Sequence, residues 1–209
     1  RNVWIDWLFH LSNLHNLNLK DISLDDFCEE NINENPVISD IEYYKNFLDW
    51  GMDGEPNNLC DDVIKWLKKN IPSDSNPNKL CWGDSRLGNV LYQDYKAKAL
   101  LDWEMSSIGD PVSDLAWGFA VDDASSLGLG IKKLEGSLDS NEAIDIWEEN
   151  TNLSSKNYKF YRIFSLLKFS IIMIRVAKKL MINNIIELEK DFYKNNYISN
   201  FLEKEFKQI

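Results

Sequence analysis

Apolar residues at Trp4, Trp7, Leu8, Leu11, Leu14 and Leu17 recur every three or four positions, so the chain opens within an amphipathic helix. Residues 20–38 are polar and acidic, carry Pro36 and predict a loop. Helices are expected over 39–50, with Gly51 as its C-cap, and over about 57–70 before Ile71-Pro72, with turn chemistry from Ser73 to Asn78. The pattern then changes. Lys79-Leu80-Cys81-Trp82, Val90-Leu91-Tyr92 and Ala99-Leu100-Leu101 are short apolar runs separated by Gly, Asp and Asn, which predicts short strands. Helical patterning returns at 111–121, where Asp110 is a ready N-cap and Pro111 suits the first helical position. A loop over Ser125–Gly130 and helices over 140–150, 155–182 and 185–206 complete the chain, with no fixed-period repeat. The fold class is therefore α+β and mostly helical, built around a small β island.

Composition narrows the functions open to such a fold. A chain of 209 residues is long enough for one domain or two small ones. With 23 Lys and Arg against 34 Asp and Glu, its charge of -11 repels phosphate backbones and anionic lipids, so neither nucleic acid nor membrane is expected as a partner. The longest apolar stretch, Ile163 to Ile174, contains Lys168 and is shorter than the ~20 residues of a bilayer span. Cys28, Cys60 and Cys81 form neither an even set nor a C-x-x-C pair, which fits a reducing cytoplasm. The two histidines, His10 and His15, match no metalloprotease pair, no G-x-S-x-G elbow exists, and His15 is read as a packed helix residue without chemistry. The chain starts with Arg1 inside a helical pattern and lacks a signal sequence, so a fragment with a missing upstream portion is expected.

The island contains Trp82-Gly83-Asp84-Ser85-Arg86-Leu87-Gly88-Asn89, followed by Asp102-Trp103-Glu104. An Asp followed five positions later by Asn is the core of a kinase catalytic loop, in which Asp accepts the hydroxyl proton and Asn holds Mg²⁺. The spacing alone is not distinctive, because it recurs at Asp26/Asn31, Asp53/Asn58, Asp145/Asn150 and Asp191/Asn196. The strands add the distinction. A hairpin of 90–92 with 98–101, turning at Asp94-Tyr95-Lys96-Ala97, pairs Val90 with Leu101 and Leu91 with Leu100 and sets Asn89 opposite Asp102. Opposed Cβ atoms lie ~4.5–5.5 Å apart. Two oxygen ligands at that spacing can share Mg²⁺ with substrate phosphate, and Asp84 faces the same spot.

These residues, with Gly109-Asp110-Pro111-x-x-Asp114-Leu115-Ala116, resemble the C-terminal lobe of the aminoglycoside phosphotransferase family, which has a protein-kinase-like fold. The branch most resembled is the one associated with acyl-CoA dehydrogenases. The match is tightest over about 79–118, the catalytic island, and looser over 1–209, where Leu14-His15 and Trp66-Leu67 to Pro72 follow the family's order. The resemblance implies Asp84 as catalytic base, Asn89 and Asp102 as nucleotide-Mg²⁺ ligands, and Asp114 as a structural brace of the catalytic loop. It implies Arg86 near the transferred phosphate, and Glu104 assisting the metal or contacting substrate.

The implied reaction is transfer of a phosphoryl group from ATP, or GTP, to a hydroxyl of a small molecule, either a hydroxyacyl or hydroxy-acid metabolite or an aminoglycoside-like acceptor. Two departures are visible. The family's His-Gly-Asp is Trp82-Gly83-Asp84, and no Gly-rich loop or Val-Ala-x-Lys strand is present, so the partner expected is an N-terminal nucleotide lobe of the same protein and the fragment alone is expected to be inactive. A non-catalytic pseudokinase or metabolite-binding module, and a metal-dependent phosphohydrolase using Asp84, Asp102 and Glu104, are the rival readings. Gly128-Leu129-Gly130 is read as a connector, Trp103, Trp117 and Trp147 as core, and Asp139, Glu142, Asp145, Glu148 and Glu149 as a solvated helix face.

Overall fold

The computed structural model describes residues 1–21, 35–183 and 189–209. The expectations for Cys28, for most of the 20–38 loop and for the start of the 185–206 helix lie outside them. The described elements run α1 (Asn2–Asn16), α2 (Pro36–Met52), α3 (Asn58–Lys69), β1 (Lys79–Cys81), β2 (Val90–Gln93), β3 (Lys96–Leu100) and β4 (Ser107–Gly109). They continue as α4 (Val112–Ser126), α5 (Ser140–Thr151), α6 (Tyr158–Ile182) and α7 (Tyr197–Phe206). The mostly helical α+β class is as read from the sequence.

Helix boundaries follow side-chain caps that periodicity does not reveal. Asn35 accepts from the Val37 amide and starts α2 at Pro36, three residues before the predicted start. The helix ends in left-handed Asp53 (φ 55°), so Gly51 lies inside it rather than capping it. Asp110 accepts from the Val112 amide at the head of α4, which runs on to Ser126 and takes in the first part of the predicted 125–130 loop. A reciprocal Asn196/Ser199 capping box starts α7 at Tyr197, so residues 189–196 are turns where the sequence predicts helix.

The β island forms two separate antiparallel pairs among the described residues. In one, β1 pairs with β4, Lys79 opposite Gly109 and Cys81 opposite Ser107. Three residues are too few for β4 to show alternation, so the sequence reading missed it. In the other, β2 pairs with β3 in a register that differs from expectation, with Val90 opposite Leu100 and Leu91 opposite Ala99. The cause is local. Asp94 (φ 53°) and Tyr95 (φ 62°) make a tight two-residue turn in place of the four-residue one, and a bulge in β3 at Lys98 returns one position of the resulting shift. Asn89 therefore faces Leu101, whose amide donates to the Asn89 carbonyl at 2.8 Å, and Asp102 stands one residue beyond with φ 62°.

The core joins α1, α4 and α6. Trp7, Trp82, Trp147, Phe119 and Phe164 are fully buried, and Trp4 stacks on Phe119 at 5.1 Å between ring centroids. Helix α4 is buried on nearly every face, which explains why its apolar residues form no single stripe. Its Gly118 permits a close approach: a Cβ there would stand 2.7 Å from the Trp7 ring and 2.9 Å from the Ser85 carbonyl. The 82–85 loop is thus pressed directly onto α4.

The hairpin is fastened separately. Buried Asp6 on α1 accepts from the Ala97 amide at 2.6 Å and from Lys96 at 2.9 Å. Burial pushes the Asp6 carboxyl up, but the amide bond and the ammonium outweigh it and hold it below the ordinary value. A carboxyl so depressed contributes stability above its unfolded pKa and loses it as pH falls through the folded one. The stability gap between wild type and Asp6→Asn, measured by urea unfolding, is expected to be constant near neutrality and to narrow on acidification below the ordinary carboxylate range.

Candidate active site

The loop from Trp82 to Asn89 leaves β1, makes a short 3₁₀ turn over Leu87–Asn89 and enters β2. Gly83 sits at φ 88°, where a Cβ would lie 2.1 Å from the Met105 carbonyl oxygen, so only glycine fits this bend. The loop's backbone is held from below by Asp114, which is 1% exposed. Its Oδ2 accepts from the Trp82 amide at 2.6 Å and its Oδ1 from the Gly83 amide at 2.8 Å, while the Ser85 hydroxyl donates to the Asp114 carbonyl. The same Oδ2 lies 3.1 Å from His15 Nε2, and His15 Nδ1 lies 2.9 Å from the indole nitrogen of Trp147.

Asp84 is consequently fixed where three donors meet it. The indole of Trp117 donates to Oδ1 at 2.7 Å, and Asn89 Nδ2 (2.7 Å) and Arg86 Nε (3.1 Å) donate to Oδ2. An ionised carboxylate has about four lone-pair positions. Three are taken, and one acceptor position is left for a hydroxyl. Asn89 Nδ2 also donates to the Asp84 carbonyl at 3.1 Å, so both amide protons are committed and its Oδ1 is the atom left to bind a cation.

The structure brings Asp84, Arg86, Asn89 and Asp114 into one bonded network. Asp102 and Glu104 stand outside it, both exposed and with no hydrogen bond or ion pair to a protein group among the described residues. Asp102 is kept near Asn89 through Leu101, whose amide binds Asn89 and whose carbonyl accepts from the Trp82 indole at 2.8 Å. The direct Asn89–Asp102 opposition expected from the hairpin is replaced by this one-residue offset. No group of three His, Cys, Asp or Glu side chains among the described residues could hold a metal, so the Asp84/Asp102/Glu104 cluster of the phosphohydrolase reading is not formed. The donor set present, one amide oxygen and free carboxylates, suits a hard cation that completes its shell with water and phosphate, as Mg²⁺ does.

Trp117 packs against α6, which also carries an ion pair to α2. The Trp117 ring meets Phe169 edge-on at 6.2 Å, and the adjacent Lys168 places its ammonium 4.6 Å from the Phe164 ring centre and 5.0 Å from that of Tyr44, paired with Asp40 at 2.6 Å. Burial alone would lower the Lys168 pKa, but the Asp40 charge outweighs it and holds the group as ammonium. Burial pushes the Tyr44 hydroxyl up to about 12.

Sequence reasoning missed three contributors. His15 was given no chemistry, and Trp117 and Trp147 were read as core; both tryptophans are buried, but each also spends its indole N–H on the site. Trp103, also read as core, is 38% exposed. His15 to Asp114 and Trp147 to His15 span 99 and 132 positions, and the only sequence signal was the Leu14-His15 pair.

Comparison with known proteins gives the family. The model of the phosphotransferase enzyme family matches residues 10–141, well over half of the chain. Acyl-CoA dehydrogenase family member 11 of Gallus gallus is 30% identical over 135 residues, covering 59% of this chain and 17% of that protein. A solved structure from Ralstonia eutropha, assigned as an aminoglycoside phosphotransferase, superposes with a TM-score of 0.77 at 20% identity, covering 99% of this chain and 65% of the other. Ethanolamine kinase of Plasmodium vivax superposes with a TM-score of 0.60 at 13% identity, covering 98% and 58%. The chain thus spans under a quarter of that curated relative and about two thirds or less of these solved chains.

Replacing Asp114 with Ala strands two buried loop amides, each costing about 1–3 kcal/mol. Asp114→Ala is expected to lower unfolding stability by about 3 kcal/mol, read from the urea midpoint at unchanged slope.

Proposed function

Because the chain belongs to the phosphotransferase enzyme family, we propose that it is the catalytic-loop and acceptor-binding lobe of a small-molecule kinase that transfers a phosphoryl group from ATP or GTP to a hydroxyl. The observation that carries this reading is the single acceptor position left on Asp84 beside the uncommitted Oδ1 of Asn89. One aligns a hydroxyl nucleophile and the other offers a hard oxygen to a cation, which is the pairing phosphoryl transfer needs.

In this reading the acceptor hydroxyl donates to Asp84, whose rotation is locked by Trp117, Asn89 and Arg86, so the oxygen attacks in a fixed direction. Arg86 is 45% exposed at its side chain and binds Asp84 through Nε alone, which leaves its terminal nitrogens for charge on the transferred group. Asn89 and Asp102 would hold Mg²⁺, with Glu104 assisting, and the ion when bound neutralises phosphate charge. The nucleotide's other contacts come from a second lobe, with a Gly-rich loop and a strand lysine, which we assign to the same protein.

The acceptor is a small hydroxyl compound, either a hydroxyacyl or hydroxy-acid metabolite or an aminoglycoside-like amino alcohol. No helix among the described residues is long and apolar enough to cross a membrane, Cys60 and Cys81 are buried free thiols, and we place the activity in the cytoplasm.

In the complete protein, Asp84→Asn is expected to lower phosphoryl transfer by about 10²–10⁴-fold while ATP binding, measured by calorimetry, survives. Near-normal turnover in this variant overturns the assigned base. Nucleotide binding without consumption by the wild type overturns the kinase reading in favour of a binding module.

A further inference from the structure

The contacts beneath the loop form a continuous relay: Trp147 on α5 donates to His15 on α1, His15 donates to Asp114 on α4, and Asp114 accepts from the Trp82 and Gly83 amides. An indole N–H can only donate, so the His15 Nδ1 facing it at 2.9 Å must carry a lone pair. The ring's one proton then sits on Nε2 and points at Asp114 Oδ2. Both His15 and Trp147 are fully buried, so no solvent competes for these bonds.

We propose that His15, held in its Nε2–H form by Trp147, is a positioning residue that fixes the Asp114 carboxylate and through it the Asp84 loop. The loop amides take one Asp114 oxygen each, so on their own they let the carboxylate and the loop shift together as one unit. His15 supplies a third donor from α1, on the Oδ2 that the Trp82 amide also binds, and ties that unit to a second helix. Trp147 is what makes the donor reliable. With the indole absent, the proton is free to move to Nδ1, and a ring lone pair then faces the charged oxygen.

Helix α5 thereby acquires a role beyond packing. Its docking on α1, reinforced by Asn16 donating to the Asn150 carbonyl, sets the position of the indole and hence the tautomer. A purely structural histidine predicts general loss of stability; a positioning histidine predicts a defect centred on one loop.

The test reads hydrogen exchange by mass spectrometry on the complete protein and, separately, transfer kinetics. His15→Leu and Trp147→Phe are expected to speed exchange of the Trp82 and Gly83 amides about tenfold or more, with α6 protection kept, since a hydrogen bond to a charged group carries about that factor. His15→Gln, whose amide nitrogen can replace Nε2–H, is expected to restore most of the protection. The inference rests on the proposed function only for kinetics, where kcat is expected to fall with KM nearly unchanged. Unchanged loop exchange in both His15→Leu and Trp147→Phe overturns the proposal. So does a loss spread equally over α6 that His15→Gln does not rescue. If His15→Leu does not fold, Trp147→Phe decides, because it keeps the imidazole and deletes only its donor. A wild-type protein without transfer activity defeats the functional reading and leaves the exchange result standing on its own.

Discussion

A single buried carboxylate organises this lobe. Asp114 is nearly inaccessible to water, and both of its carboxylate oxygens are met by N–H groups of the fold. Two of those groups belong to the backbone that carries Asp84. Satisfying the buried carboxylate and shaping the catalytic loop are therefore the same act, and any geometry that spoils one spoils the other. The bend at Gly83 and the close seat of Ser85 on Gly118 are steric conditions for bringing the loop within reach of that carboxylate.

Above this foundation the chemistry is sparse, as phosphoryl transfer allows. Asp84 has its donors arranged before any substrate arrives, and Asn89 has its amide turned by the same contacts, so an oxygen is the atom it can give. Preorganised positioning and charge placement suffice for a reaction that needs little covalent help. Asp102 and Glu104 are exposed and have no side-chain partner among the described residues, and Leu101 ties the Asp102 end of the hairpin to the loop.

What could be read from the sequence was what lies close along it. Asp84 and Asn89 are five positions apart and share one turn, so their spacing was a usable signal. The hairpin was legible but its register was not, because Asp94-Tyr95 turns through two left-handed residues without the glycine that announces such a turn, and because the bulge at Lys98 leaves no mark in the apolar pattern. β4 was too short to register. The His15–Asp114 and Trp147–His15 contacts belong to residues far apart in the chain whose partners no periodicity can name. Polar atoms inside the core are where pattern reasoning is weakest, since it sees a tryptophan as bulk and not as one donor.

The two strand pairs have a separate consequence. The hairpin is tied to α1 through Asp6, whereas β1 and β4 bracket the loop, and the two sheets share no ladder. The hairpin and the loop thus reach the helices through different carboxylates, Asp6 for one and Asp114 for the other, and are joined to each other at Leu101.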